Sequence, residues 1–170
     1  GKQVPPIKSP IKKLHLNDGL NEFNPVRASI RSKIKQLIAK AELIVYPFGS
    51  FYTSVIASLL PEGVGKAIAE NPCTKIYIPN TTGDPEMLGM KLNDEIDVLL
   101  KTLNLDGKLD TGDLLNFVIL NRNHSHYDRD LNLGELEQKN IEVLNLDLVS
   151  QKSAPLLDSH KLTELLVSLV

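Results

Sequence analysis

The stretch LIVYPFGSFYTSVIASLL, residues 43–60, places a strand pattern, a turn and a helix pattern in immediate succession. LIVYP is a short continuous apolar run, typical of a strand that is covered on both faces. The apolar residues after the turn predict a helix from about Thr53 to Leu60. PFGSFYTS is therefore the turn at the carboxyl end of the strand, where ligands bind in open α/β sheets.

The turn contains residue types that suit an anion. Gly49 permits a positive φ or a close approach of the backbone, and the hydroxyls of Ser50, Thr53 and Ser54 can donate hydrogen bonds. The exposed amides of a first helical turn favour a phosphate or a diphosphate. The alternative interpretation is that Ser50 or Thr53 only caps the helix and that Tyr52 packs locally. The phosphate-binding patterns GxxxxGK[ST] and GxGxxG are both absent.

Helix and strand patterns alternate along the rest of the chain. Apolar residues between Val26 and Ile38 predict a helix over about 25–41, with Asn24 as its N-cap and Pro25 in its first turn. Further strands are predicted at 75–79, 116–121 and 141–149, and further helices at 53–60, 64–70, 94–103 and from Asp158 or Ser159 onward. This alternation predicts an α/β fold with a mostly parallel sheet and helices on its faces.

A second polar loop, NTTGDPE, follows the strand predicted at 75–79. Adjacent parallel strands would bring it to the same sheet edge as PFGSFYTS. Asn80 could then hold a ribose or a second phosphate, whereas Asp84 and Glu86 would need a metal or a sugar hydroxyl to avoid repelling an anion. An ordinary solvated loop is the alternative. The candidate ligand-binding residues are Gly49, Ser50, Tyr52, Thr53, Ser54, Asn80, Thr81, Thr82, Gly83, Asp84 and Glu86.

Composition limits the class of protein. A chain of 170 residues with 42% hydrophobic residues predicts one domain over 1–170. A net charge of -2 does not indicate the basic surface that binds the phosphates of nucleic acid. No apolar run approaches the roughly 20 residues that span a bilayer. The single cysteine, Cys73, fits a reducing compartment. We therefore expect a cytoplasmic protein without a nucleic-acid or membrane partner.

Residues 1–22 and three smaller features have weaker patterns. Prolines and alternating apolar residues in 1–22 predict an extended arm or an edge strand. DGKLDTGD, residues 106–113, lacks the glycine and the closing Glu of a calcium-binding loop and is interpreted as a turn. Arg27 and Arg31 could reach a phosphate, but two arginines one turn apart more often belong to a solvated helix face. A zinc site is one interpretation of NRNHSHYDRD, and a polar loop is the other; its candidate ligands are His124, His126 and Asp128.

Two segments resemble the CofD-like family, which includes 2-phospho-L-lactate transferase and the YvcK-type gluconeogenesis factors. AELIVYPFGSFYTSVIASLLPEGVGKAI, residues 41–68, is similar to the family segment AD-x-IV-x-GPGS-L-YTS-I-x-x-x-LL-x-x-G-I-x-x-AI. KIYIPNTTGDPE, residues 75–86, is similar to the next strand and loop. The opening stretch GKQVPPIKSPIKKLHL also resembles a segment from the middle of the family's chain, and the resemblance therefore covers most of residues 1–100. The family's glycine-rich first turn is absent, so the chain resembles the second half of a CofD-like protein.

The resemblance implies a Rossmann-like three-layer fold that is incomplete because the family's first half is absent. It also implies a nucleotide-diphosphate-linked ligand, with Mg²⁺ in the transferase branch. A 2-phospho-L-lactate transferase-type enzyme is one implied function, and a non-catalytic regulatory protein that binds a nucleotide sugar is the other. The implied partner is either a second copy of the chain or the missing half. No catalytic residue can be identified, because the family's acidic metal ligands belong to that half.

Two departures from the family pattern concern the ligand. GPGS in the family is PFGS here, so Phe48 replaces a small residue on the ligand side. The expected GE of the second loop is GDPE, residues 83–86. Both departures alter the surface that would contact the ligand.

Overall fold

The computed structural model describes residues 7–105, 107–122 and 131–170 of the chain. Its centre is a four-stranded parallel sheet in the order β3-β4-β5-β6. The strands are β3 (Leu43–Tyr46), β4 (Thr74–Tyr77), β5 (Phe117–Asn121) and β6 (Glu142–Leu146). Each strand pairs with the next one along the chain, as in Tyr46 opposite Tyr77 and Tyr77 opposite Val118. The predicted α/β fold with a parallel sheet is confirmed.

Helices cover both faces of the sheet and form three layers with it. One face packs against α3 (Val64–Ala69), α4 (Leu92–Leu103) and α5 (Leu133–Gln138). The opposite face packs against α6 (Ser159–Ser168), whose leucines contact Ile76, Ile78 and Ile119. The order β3-β4-β5-β6 follows the chain in one direction across the sheet. Right-handed crossover connections therefore place the helices between these strands on the same face of the sheet. The C-terminal helix therefore has to cover the other face.

The turn after β3 leads into a helix that begins earlier than predicted. A π-helical segment, Phe51–Ile56, continues directly into α2, Ala57–Leu59. The expected start at Thr53 is therefore two residues late. Phe51 and Ile56 are almost fully buried, so the apolar spacing that predicts this helix does describe its core-facing side.

The helix predicted over 25–41 begins only at Ser32, so its first half is wrong. Helix α1 is Ser32–Ala39, and Pro25–Val26 forms strand β2, which pairs antiparallel with β1, Leu16–Asn17. Asn24 does not cap a helix, because the residues that follow it are in β2; its amide instead donates to Asn17 Oδ1 at 2.6 Å. Long-range pairing thus replaces the local helical preference. Within the arm predicted over 1–22, Leu16–Asn17 forms β1, which belongs to this small hairpin and not to the main sheet.

The remaining elements lie close to their predicted positions, with one omission. Strands β5 and β6 fall within the predicted runs, and β4 begins at Thr74, one residue before its predicted run. Asp158 caps α6 by accepting from the amides of His160 and Lys161 at 3.0 and 3.3 Å. Helix α5 was not predicted. None of the described helices is long and apolar enough to cross a membrane.

Candidate functional site

Two loops meet at the carboxyl ends of β3 and β4, as the parallel order predicts. They are joined by a reciprocal pair of hydrogen bonds. The Gly49 amide donates to Asn80 Oδ1 at 2.9 Å, and Asn80 Nδ2 donates to the Gly49 carbonyl at 2.6 Å. The Asn80 side chain therefore acts as a short extension of the sheet ladder between the loops.

The first amides of the π-helical segment are held by carboxylates of the second loop. The Phe51 amide donates to Asp84 Oδ2 at 2.7 Å. The amides of Tyr52 and Thr53 donate to Glu86 Oε2 at 2.8 and 3.0 Å, and the Thr53 hydroxyl donates to Glu86 Oε1 at 2.6 Å. A negative group at a helix N-terminus is the arrangement that the unpaired amides favour. Here the chain supplies that group itself.

This arrangement changes the interpretation of the acidic residues. The sequence suggested that Asp84 and Glu86 need a metal or a sugar hydroxyl near an anion, but their carboxylates accept from the helix amides. Asp84 also caps the 3-10 turn Pro85–Met87 by accepting from the Glu86 amide at 2.9 Å. Because both carboxylates occupy the start of the helix, a phosphate at this edge would have to use other donors.

The remaining donors of the two loops lie beside this carboxylate contact. Ser50 and Ser54 are exposed, and neither hydroxyl has a hydrogen bond to another described residue. In the second loop Gly83 is exposed, Thr82 is half-buried and Thr81 is buried. The candidate anion contacts are therefore Ser50, Ser54 and the start of the second loop.

Tyr52 and Thr53 contribute to the site mainly through their backbones. The Tyr52 ring is buried, and its hydroxyl lies 3.3 Å from the Ile11 carbonyl and 3.5 Å from the Met90 sulphur. The Tyr52 side chain thus packs in the core against residues 41 and 38 positions away in the sequence. Neither the Ser50 nor the Thr53 side chain caps the helix, because Ser50 makes no capping bond and Thr53 binds Glu86.

Hydrogen bonds set the ionisation of Glu86. Partial burial of the Glu86 carboxyl raises its pKa, but hydrogen bonds from the Thr53 hydroxyl and from the Thr53 and Tyr52 amides outweigh that effect. The net result is a pKa below the usual value for glutamate. The carboxylate form is thus the one that holds the two loops together.

We expect the stabilising effect of Glu86 to depend on pH. A depressed carboxyl pKa contributes stability above the pKa of the unfolded state, about 4.3, and that contribution is lost as the pH falls through the lower folded pKa. Urea unfolding of the wild type and of Glu86→Gln from pH 7 to pH 3 should show a difference in midpoint that shrinks at acidic pH. Glu137→Gln, at an exposed position, is the control and should show no such trend. A constant difference would contradict the prediction.

Gly49 has a backbone conformation that favours glycine. Its φ is +146°, and an added Cβ would meet no atom closer than Ser54 Cβ at 3.9 Å. Strain in a substituted residue would therefore come from the backbone rather than from a clash.

We expect Gly49→Ala to lower the free energy of unfolding by about 1–2 kcal/mol, because an L-residue rarely adopts this φ. Thermal and urea unfolding of the variant would measure the loss. Gly112→Ala is a suitable control, because its added Cβ also meets open space and its φ is not in the region that favours glycine. Equal losses in the two variants would show that the φ of Gly49 carries no special cost.

Asn121 also lies at this end of the sheet and was missed by the sequence analysis. It ends β5, is almost fully buried, and its Oδ1 accepts from the amides of Leu148 and Val149 at 2.8 and 3.1 Å. It thereby anchors the chain where it leaves β6. The feature of the sequence that could have identified Asn121 is its place as the polar residue at the end of the apolar run FVILN.

The acidic residues do not by themselves fit a magnesium site. All four carboxylate oxygens of Asp84 and Glu86 already accept hydrogen bonds from amides or from the Thr53 hydroxyl. Within the described ranges, no group of three or more His, Cys, Asp or Glu side chains could hold a metal ion. Magnesium would need oxygen ligands from elsewhere, such as a bound diphosphate.

The other candidate positions do not join this site. Arg27 pairs with Glu62 at 3.2 Å, and Arg31 lies directly before α1 with its side chain exposed. The segment 106–113 contains a 3-10 turn at Thr111–Asp113, although residue 106 lies outside the described residues. The zinc candidates His124, His126 and Asp128 also lie outside them.

Comparison with known proteins is consistent with this architecture. The gluconeogenesis factor of Bacillus subtilis (strain 168) is 27% identical over 175 residues, which cover 98% of this chain and 53% of that protein. A putative gluconeogenesis factor of Thermoanaerobacterium thermosulfurigenes is 28% identical, with 96% of this chain and 50% of that protein covered. This chain therefore spans about half the length of these curated relatives.

A solved structure and a family model complete the comparison. A UPF0052 family protein from Bacillus halodurans superposes with a TM-score of 0.64 at 19% identity, over 82% of this chain and 46% of that one. That likeness supports the Rossmann-like fold. The family model described as 2-phospho-L-lactate transferase CofD matches residues 8–157. The chain belongs to the CofD family.

Proposed function

We propose that the chain forms the half of a CofD-family protein that binds a nucleotide-diphosphate-linked ligand at the carboxyl ends of β3 and β4. The observation that carries the proposal is the pair of loops joined through Gly49 and Asn80, together with the hydroxyls of Ser50 and Ser54, which bond to no other residue in the described ranges. Ser50 and Ser54 would donate to one phosphate, and Thr82 and Gly83 would face it from the second loop. Family membership supports a phosphate-bearing ligand in particular.

A regulatory, non-catalytic role is favoured over phosphotransfer. The relatives that match almost the whole chain are named gluconeogenesis factors, and the acidic residues of the site are engaged in holding the loops. Phosphoryl transfer depends on positioning and on neutralising charge, usually with metal ions. A transferase activity is the second candidate, because the matching family model is named for one. Such an activity would need a group of metal-binding carboxylates, and the described part of the chain contains no such group.

A thermal-shift panel tests the binding proposal. Guanosine, uridine and adenosine diphosphates and inorganic pyrophosphate would each be added to the purified chain, with and without MgCl₂. A ligand at 100 times its Kd stabilises the folded state by about 2.7 kcal/mol. We expect at least one nucleoside diphosphate to raise the Tm, and a larger shift with magnesium would support metal supplied together with the ligand. No shift with any compound would contradict the proposal.

We also propose that the free edge of β3 pairs with a further strand. In the described part of the chain, β3 has only β4 as a neighbour. Helix α1 precedes β3 and packs against α3, and the segment before α1 forms the separate β1–β2 hairpin, so no described strand of this chain pairs with the other edge of β3. Ile34 and Leu37 on α1, the helix that leads into β3, are exposed apolar residues. The strand would come from the other half of a longer protein or from a second copy.

On its own, this 170-residue chain should then associate with itself. Light scattering coupled to size exclusion should report a mass above 18.8 kDa at micromolar concentration. Leu37→Lys should shift the population toward the monomer, because a charge on this apolar surface opposes its burial. Lys101→Ala, on a described helix away from β3, is the control. A monomer at every concentration tested would contradict self-association.

A further inference from the structure

Phe48 is an exposed aromatic residue at the edge of the proposed site. It lies in the loop between β3 and the π-helical segment, and 46% of its surface is accessible. The neighbouring aromatic residues Tyr46, Phe51 and Tyr52 are all buried in the core. The phenyl ring of Phe48 is therefore apolar surface left outside the core, directly beside Gly49.

The position of Phe48 sets what its ring can reach. Consecutive Cα atoms are 3.8 Å apart, so the Cα atoms of Phe48 and Ser50 are separated by at most about 7.6 Å. In a nucleotide the base is separated from the diphosphate by a single ribose. A phosphate at Ser50 thus leaves the base of the same molecule within reach of Phe48.

The chemistry of the ring limits the group that it would contact. Aromatic side chains stack on nucleobases, and this contact tolerates any base because every base has a π face. A phenyl group has no hydrogen-bonding atom that could hold a phosphate or a sugar hydroxyl. Phe48 would therefore distinguish ligands that carry a planar ring from ligands that do not.

We propose that Phe48 stacks on the base of the nucleotide and selects base-bearing diphosphates over ringless ones. This inference rests on the proposed ligand-binding function. Phe48 is a specificity residue in this scheme, while the hydroxyls of Ser50 and Ser54 contact the phosphate. Anion binding and ring binding are thereby assigned to neighbouring but separate groups.

Calorimetric titration can separate the two contributions. The probes are the nucleoside diphosphate with the largest thermal shift and inorganic pyrophosphate. The variants are Phe48→Leu, which keeps an apolar side chain but removes the ring, and Phe48→Tyr, which keeps the ring. We expect Phe48→Leu to weaken nucleoside diphosphate binding about 10-fold, with pyrophosphate binding unchanged, and Phe48→Tyr to bind both like the wild type.

One control variant and three possible results test whether Phe48 stacks on the base. Leu105→Ala changes an exposed apolar residue beyond the end of α4, at the opposite end of the sheet, and should alter neither affinity. Equal nucleotide affinity in the wild type and Phe48→Leu would overturn the inference. So would an equal loss for both ligands, since that indicates a change in the loop rather than a lost ring contact. If the wild type binds neither ligand, the proposed function itself fails and the inference fails with it.

Discussion

Gly65→Ala should lower the free energy of unfolding by about 3 kcal/mol or more, the largest effect that we expect from a single methyl group. An ideal Cβ at Gly65 would lie 1.8 Å from the Leu103 carbonyl oxygen and 2.7 Å from its carbon. Both contacts are with backbone, so no side chain can rotate away. Helices α3 and α4 would have to separate, and this would disturb the packing of Val64 and Ile68 in the main core.

The same substitution at another helical glycine provides the control. Gly134 lies in α5, is exposed, and its added Cβ would come no closer than 3.5 Å to another atom, Asn132 Oδ1. Gly134→Ala should therefore stabilise the protein by about 0.5–1 kcal/mol through helix propensity. Urea unfolding of both variants measures the contrast. A Gly65→Ala protein as stable as the wild type would show that α3 and α4 do not approach this closely.

Glu86→Ala should lower the free energy of unfolding by about 2 kcal/mol and loosen the site. The substitution leaves two backbone amides and one hydroxyl without their carboxylate acceptor, and bonds to charged groups are among the stronger ones. Because Thr53 is exposed, water replaces part of what is lost. Amide hydrogen exchange at Tyr52 and Thr53 should accelerate in the variant, in addition to the shift in urea midpoint.

Two further variants separate the contributions to this contact. Thr53→Val removes only the hydroxyl donor and should cost about 1 kcal/mol. Glu137→Ala removes an exposed carboxylate with no role in the site and should stay within about 0.5 kcal/mol of the wild type. If Glu86→Ala behaves like Glu137→Ala in both stability and exchange, Glu86 does not hold the two loops together.

Local sequence patterns determined most of the sheet and the position of the site. The apolar runs LIVY, KIY and FVIL become β3, β4 and β5 because a strand covered on both faces needs apolar residues on both sides. Asp158 begins α6 because its short carboxylate satisfies free amides at a helix start. The parallel order then brings Gly49 and Asn80 to one edge.

Contacts between distant residues decided what local patterns could not. The segment after Asn24 has helical spacing, but Pro25–Val26 pairs with Leu16–Asn17 and Ile30 donates its amide to the Glu62 carbonyl at 3.0 Å, so the chain stays extended up to α1. The helix turn after β3 has the composition of an anion site, yet Asp84 and Glu86 supply the anion from more than 30 residues away. A backbone amide binds whichever acceptor the fold brings nearest, and only the packed tertiary structure determines which acceptor that is.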